Sequence, residues 1–101
     1  MADNDMATTD SAPESRAIIT VLGSDRPGIV ASVAGALSER SANILDISQT
    51  ILQGTFTMTM LVELGSADFS ELKGALDALS ESLGVQITMQ REEVFRYMYR
   101  L

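Results

Sequence analysis

The sequence has no cysteine, no histidine and no tryptophan, and only two prolines. Without thiols or imidazoles it lacks thiolate nucleophiles, disulfides, histidine general bases and the ordinary zinc ligands. Carboxylates, hydroxyls, tyrosines and the lone Lys73 are what an enzyme would have to work with. Neither a metal nor a cofactor is expected on this set. Positive charge is scarce too, with fourteen acidic residues against seven basic ones and a net charge of −7. Four of the acids (Asp3, Asp5, Asp10, Glu14) fall in the first fifteen residues, and from Arg16 onward ten acids face seven bases. A phosphate-backbone binder draws its affinity from Lys and Arg, so nucleic acid is not an expected partner. No run of eighteen apolar residues exists to span a bilayer, and the first residues lack the basic flank and apolar stretch of a leader. The expectation is a cytoplasmic protein with no membrane partner.

What is present begins with a chain of 101 residues, enough for one small domain. Such a domain buries only about two-thirds of its unfolded surface, so a second copy would add stability. Residues 1–15 are small, acidic and aperiodic, and are expected to form a disordered tail. Arg16 to Leu22 is a short apolar run ended by Gly23, which predicts a central strand buried on both faces. From Pro27 the spacing turns helical, with Ile29/Val30, Val33/Ala34 and Leu37 on one side. Pro27 suits the first helical position, and Arg26 before it is driven out of the helical region.

Asn43 to Leu52 and Thr55 to Leu64 are two β-rich runs joined by Gln53-Gly54, a strong hairpin signal. In the second run Phe56, Met58, Met60, Val62 and Leu64 share one face, opposite Thr55, Thr57, Thr59 and Glu63, with Leu61 the exception. The methionines at this spacing read as core filler. Asp68-Phe69-Ser70-Glu71 resembles a capping box, after which Phe69, Leu72, Leu76, Leu79 and Leu83 repeat every three or four residues before Gly84. Val85, Ile87 and Met89 then alternate with polar residues as a fourth strand. Residues 92–101 return to helical spacing through Val94/Phe95 and Met98/Tyr99, predicting a short helix that docks on its own domain or on a second chain.

The predicted class is therefore α+β: a ferredoxin-like βαββαβ domain over 16–91, with a four-stranded antiparallel sheet, two helices on one face and a C-terminal helical extension over 92–101. This plan hosts many functions, so motifs must discriminate. The apolar first strand, then Gly23-Ser24-Asp25-Arg26-Pro27-Gly28-Ile29-Val30, then Asn43-Ile44, resembles the ACT domain, a small-molecule-binding module of regulated enzymes of amino-acid metabolism. Ala17-Ile18-Ile19-Thr20-Val21, the run from Asn43 to Ile51, and Gln53-Gly54 are similar to a subgroup of stand-alone bacterial ACT proteins that carry no catalytic domain and no assigned activity. The resemblance implies a homodimer joined through the second-strand edge. It also implies an amino-acid ligand held between the first loop and helix of one copy and the second-strand region of the other.

On that basis the candidate ligand-binding residues are Ser24, Asp25, Arg26, Pro27, Gly28, Ile29, Val30, Asn43 and Ile44. The first-turn amides from Gly28 to Val30 suit a carboxylate, being free donors at the positive end of a helix dipole. Asp25 and the Asn43 amide oxygen suit an ammonium. Gly28 leaves room for a ligand to approach backbone. Each residue also has a plainer role: Asp25 as a helix cap, Asn43 as a left-handed turn residue, Pro27-Gly28 as helix-start punctuation. Gly23 stands where serine-sensing members of the family carry a histidine, so the resemblance does not name the ligand. The polar set Asp46, Ser48, Gln49 and Gln53 reads as a solvated or dimer-lining edge.

Three classes follow. The first is a sensor that signals to an unidentified regulated protein, and the second a homodimeric interaction protein whose site is empty. The third is a small enzyme of the acylphosphatase type, for which Arg26 and Asn43 superficially supply a phosphate ligand and a water-placing amide. Against the third, the loop lacks a glycine-rich cradle and Asp25 repels an anion.

Overall fold

The computed structural model describes residues 15–24 and 27–98. Their elements run β1 (Arg16–Ser24), α1 (Ile29–Glu39), β2 (Asn43–Leu52), β3 (Thr55–Glu63), α2 (Phe69–Leu83), β4 (Gln86–Arg91) and α3 (Glu92–Met98). The strands pair antiparallel in the order β2-β3-β1-β4, so β1 is central and β2 is an edge. This is the predicted ferredoxin-like plan. The predicted tail lies outside the described residues except for Ser15, whose carbonyl accepts the Leu64 amide at 2.7 Å. Residues 99–101 of the predicted C-terminal segment also lie outside them.

One face of the sheet carries the core. Ala17, Ile19 and Val21 of β1, Phe56, Met58, Met60 and Val62 of β3, and Ile87 and Met89 of β4 pack under Ile29, Val33 and Leu37 of α1 and Leu72 and Leu76 of α2. The alternation in β3 is as clean as its sequence, and the hairpin turn places Gln53 and Gly54 at φ 51° and 82°, the paired left-handed geometry that favours glycine. Asp68 caps α2 by accepting the Glu71 amide at 3.0 Å, and Gly84 ends it with φ 71°.

Two expectations need correction. β1 is buried on both faces only near its start: Ala17, Ile18 and Ile19 are buried, but on the face away from the core Thr20 is half-buried and Leu22 is 42% exposed. α1 and α2 both pack on the core face, opposite Ile18, Thr20 and Leu22. α1 starts at Ile29 and not at Pro27, because Gly28 takes φ 90°, a left-handed conformation that cannot begin a right-handed helix.

α3 packs against β1 and β4, and its docking residue is a charge. Glu92 is buried, donated to by the Arg16 Nε at 2.7 Å on one oxygen and by Arg96 at 2.7 and 2.8 Å on the other. Burial pushes this carboxyl up, but the hydrogen bonds from Arg96 and Arg16 and their two positive charges outweigh burial and hold it below its ordinary value. Of the apolar residues expected to dock the helix, Val94 is exposed and Phe95 is half-buried. No helix among the described residues is long and apolar enough to cross a membrane.

Candidate functional site

The sequence motif divides between the two ends of one helix. At the N-terminal end, exposed Ser24 closes β1, Pro27 and Gly28 form an exposed turn, Ile29 is buried beneath and Val30 is half-buried. Asp25 and Arg26 lie outside the described residues. Gly28 has no side chain to cap the helix, and the first turn of α1 holds no acidic residue. The ladder begins with Ser32 N–H to the Gly28 carbonyl at 2.9 Å, which leaves the amides of Ile29 to Ala31 as first-turn donors at the positive end of the dipole. A Cβ on Gly28 would meet nothing within 4 Å among the described residues, so glycine stands there for its φ of 90°.

Gly23 is closed in the opposite sense. A Cβ there would lie 2.7 Å from the Val85 Cγ1, so Val85 fills the place that a side chain at this position would need.

The other half of the motif sits at the far end of α1. A groove of about 470 Å³ opens between the helix C-terminus and the start of β2, with Ala34, Leu37 and Ile44 contributing apolar walls and Ser38, Ser41 and Asn43 the polar ones. The negative end of the α1 dipole points toward this region, which favours a cation. Asn43 is the first residue of β2 and pairs with Glu63, so its turn role is excluded. The left-handed turn residue is Ser41, at φ 64°. Ser38 and Ser41 were not singled out by sequence reasoning. Only their position just past the last apolar helical residue, Leu37, hints at them.

A single chain does not bring the halves together. Asn43 pairs with Glu63, which pairs with Arg16, whereas Ser24 pairs with Thr55 at the opposite end of the ladder. Eight positions of strand separate them, roughly 26 Å, and α1 itself spans roughly 16 Å between the two sites. Ser24 and Pro27, the described residues nearest in sequence to Arg26, likewise lie at the opposite end from Asn43. A second groove, of about 500 Å³, runs between α1 and α2 past Ala31, Gly35, Ala75 and Ala78, and takes in none of the motif residues.

This division of a small-molecule motif over a βαββαβ domain coincides with a family match: the family model described as the ACT domain covers residues 15–90. The chain belongs to the ACT domain family. It is 49% identical over 89 residues to a UPF0237 protein of Methanocaldococcus jannaschii, a match covering 86% of this chain and 99% of that one. Among solved structures it is similar to an ACT domain protein from Streptococcus pneumoniae, with 44% identity, a TM-score of 0.71, and 83% and 97% of the two chains covered. It is also similar to the regulatory subunit of aspartate kinase from Thermus thermophilus in its ligand-free form, at 26% identity and a TM-score of 0.62, over 77% of this chain and 52% of that one. ACT domains are commonly regulatory small-molecule-binding modules, and nothing in these likenesses indicates an enzymatic activity.

Proposed function

We propose that this ACT protein works as a homodimer joined through its β2 edges, holds an amino acid or similar small zwitterion at the seam, and passes its occupancy to a partner protein. The observation that carries the reading is the separation of the two half-sites at opposite ends of α1. Two copies related by a twofold axis, with their β2 strands antiparallel, set Asn43 of one beside Leu52 of the other and lay the two α1 helices side by side in opposite directions. Each N-terminus then faces the other copy's C-terminal groove. A carboxylate meets the amides of Ile29, Val30 and Ala31 in the first turn of α1 of one copy, beside Ser24, Pro27 and Gly28, with Asp25 and Arg26 assigned to the same site by the sequence motif. An ammonium meets the Asn43 oxygen and the serine hydroxyls beside Ile44 of the other, and Asp25 adds a charged acceptor. The likeness to a regulatory subunit of aspartate kinase supports a regulatory role.

The exposed surface suits such a seam. On the helix-covered side of β2, Ile47 is 40% and Ile51 is 58% exposed, although their register partners Met60 and Phe56 are buried. α1 therefore reaches only part of the edge strand, and its neighbouring positions Ala34 and Ser38 are small enough for a second helix to approach.

A thermal-melt panel of the twenty amino acids at millimolar concentration tests the proposal. A ligand at ten times its dissociation constant stabilises the fold by about 1.4 kcal/mol, which is several degrees for a domain this size. One compound or a close chemical group is expected to give that shift, and Asn43→Ala to remove it. Silence across the panel would favour a homodimeric interaction protein with an empty site.

A further inference from the structure

We infer that the bulged edge of the sheet carries a second small-molecule site, on the face opposite the helices, and that it takes a short primary alkylammonium. The inference does not depend on the dimer proposal, because every residue in it belongs to one chain. It starts from the register shift between Ile44 and Asp46 in β2. Ile44 pairs with Val62 on the core face, and unbroken pairing would set Leu45 opposite Leu61 and turn Asp46 toward the helices. The extra residue instead places Asp46 opposite Leu61, on the open face. A bulge that re-aims one side chain is a common device beside binding sites.

The carboxylate arrives beside a small concavity of about 120 Å³ lined by Ile18, Asp46, Ile47, Ser48, Thr59 and Leu61. Ile18, Leu61 and Asp46 form one row across β1, β3 and β2, and Ser48 and Thr59 are direct partners in the next row of the same face. Ile18 and Leu61 are apolar, and Ile18 is almost fully buried. Asp46 is held in place because one of its oxygens accepts the Ile47 amide at 2.8 Å. Its other oxygen has no ion-pair partner among the described residues.

The chemistry of this lining selects its guest. An anion would face the carboxylate unshielded, whereas an ammonium finds one charged and two hydroxyl acceptors. A hard divalent cation needs six or more oxygen ligands, and a single carboxylate over an apolar floor does not provide them. The volume equals about four water molecules at roughly 30 Å³ each, which fits a chain of about four heavy atoms with its methylenes against Ile18 and Leu61.

Propylammonium titrated into the full chain, followed by amide chemical shifts, tests the site. Saturable changes are expected at Ile47, Ser48, Thr59 and Leu61, with half-saturation at about 10 mM, as the small size of the ligand dictates. Asp46→Asn keeps the acceptor for the Ile47 amide and so keeps the bulge; it is expected to weaken the response at least about tenfold, the loss of one charge-assisted contact. A blocked lysine peptide run in parallel separates the two sources of the same chemistry: tighter binding of propylammonium marks a free metabolite, and tighter binding of the peptide marks a partner's side chain. An equal response in Asp46→Asn, changes spread to α2 around Glu71, Asp77 and Glu81, or no response beyond that of sodium chloride would overturn the inference.

Discussion

Lysine at both Ile47 and Ile51 is expected to leave a folded monomer under conditions where the native chain forms the proposed dimer. The two side chains lie on the helix-covered side of β2 and are about half exposed in the single chain. Burying the remainder of each is worth about 1 kcal/mol. Two copies contribute four such side chains, so the seam loses about 4 kcal/mol, roughly a thousandfold in dissociation constant. Lysine also sets like charges across a twofold axis, which penalises reassociation further. Sedimentation or light scattering across a concentration series checks the state. Circular dichroism checks that the monomer is folded, as expected where lysine stems can keep their heads in water. A double variant that remains a dimer at the native dissociation constant would remove the β2 edge from the account.

The second large effect belongs to the Arg16–Glu92–Arg96 cluster. Glu92 is 1% exposed, and Arg16 joins it across 76 residues of sequence. Arg16→Met leaves a buried carboxylate held only by the more exposed Arg96, and is expected to cost about 3 kcal/mol, or roughly 15 °C in melting temperature. The double variant Arg16→Met, Glu92→Leu removes the charge as well as its partner and is expected to recover most of that loss. pH provides an internal check. Because Glu92 titrates below its ordinary value in the folded chain, the cluster contributes fully above the unfolded value of about 4.3 and loses its contribution as pH falls through the lower folded value. Between about pH 6 and about pH 3 the native chain is therefore expected to lose more melting temperature than the double variant. Equal losses would show that the cluster contributes nothing to acid sensitivity.

How much of this was legible in the sequence depended on whether the deciding interaction was local. The β3 alternation, the Gln53-Gly54 turn, the Asp68 cap and the Gly84 stop are set within a few residues, and each stands where the pattern put it. Strand β1 misled only toward its end, at Thr20 and Leu22, because an apolar run does not say how far along the strand its second face stays covered. Pro27 misled because the φ of Gly28 overrode the usual preference for proline at a helix start. Glu92 reads as a solvated helix charge, and its burial depends on Arg16 arriving from the other end of the chain. The bulge in β2 leaves one trace in the sequence, a change of phase between Ile44 and the Ile47/Ile51 pair, and only pairing with β3 shows that an extra residue causes it. For the candidate site the sequence names residues but not their places, and the fold sets Ser24 and Asn43 at opposite ends of the strand ladder.

Mixed dimers show whether one ligand is shared between the loop of one copy and the groove of another. Asp25→Ala and Asn43→Ala are purified separately, each expected to have lost binding of the compound found in the melt panel, and are then mixed and allowed to exchange subunits. Every heterodimer formed by a twofold seam holds one site carrying both changes and one carrying neither, so roughly a quarter of all sites should regain native affinity in calorimetric titration. If each variant is inactive alone and the exchanged mixture recovers no native-affinity sites, the ligand is not shared across the seam and the proposed site is wrong.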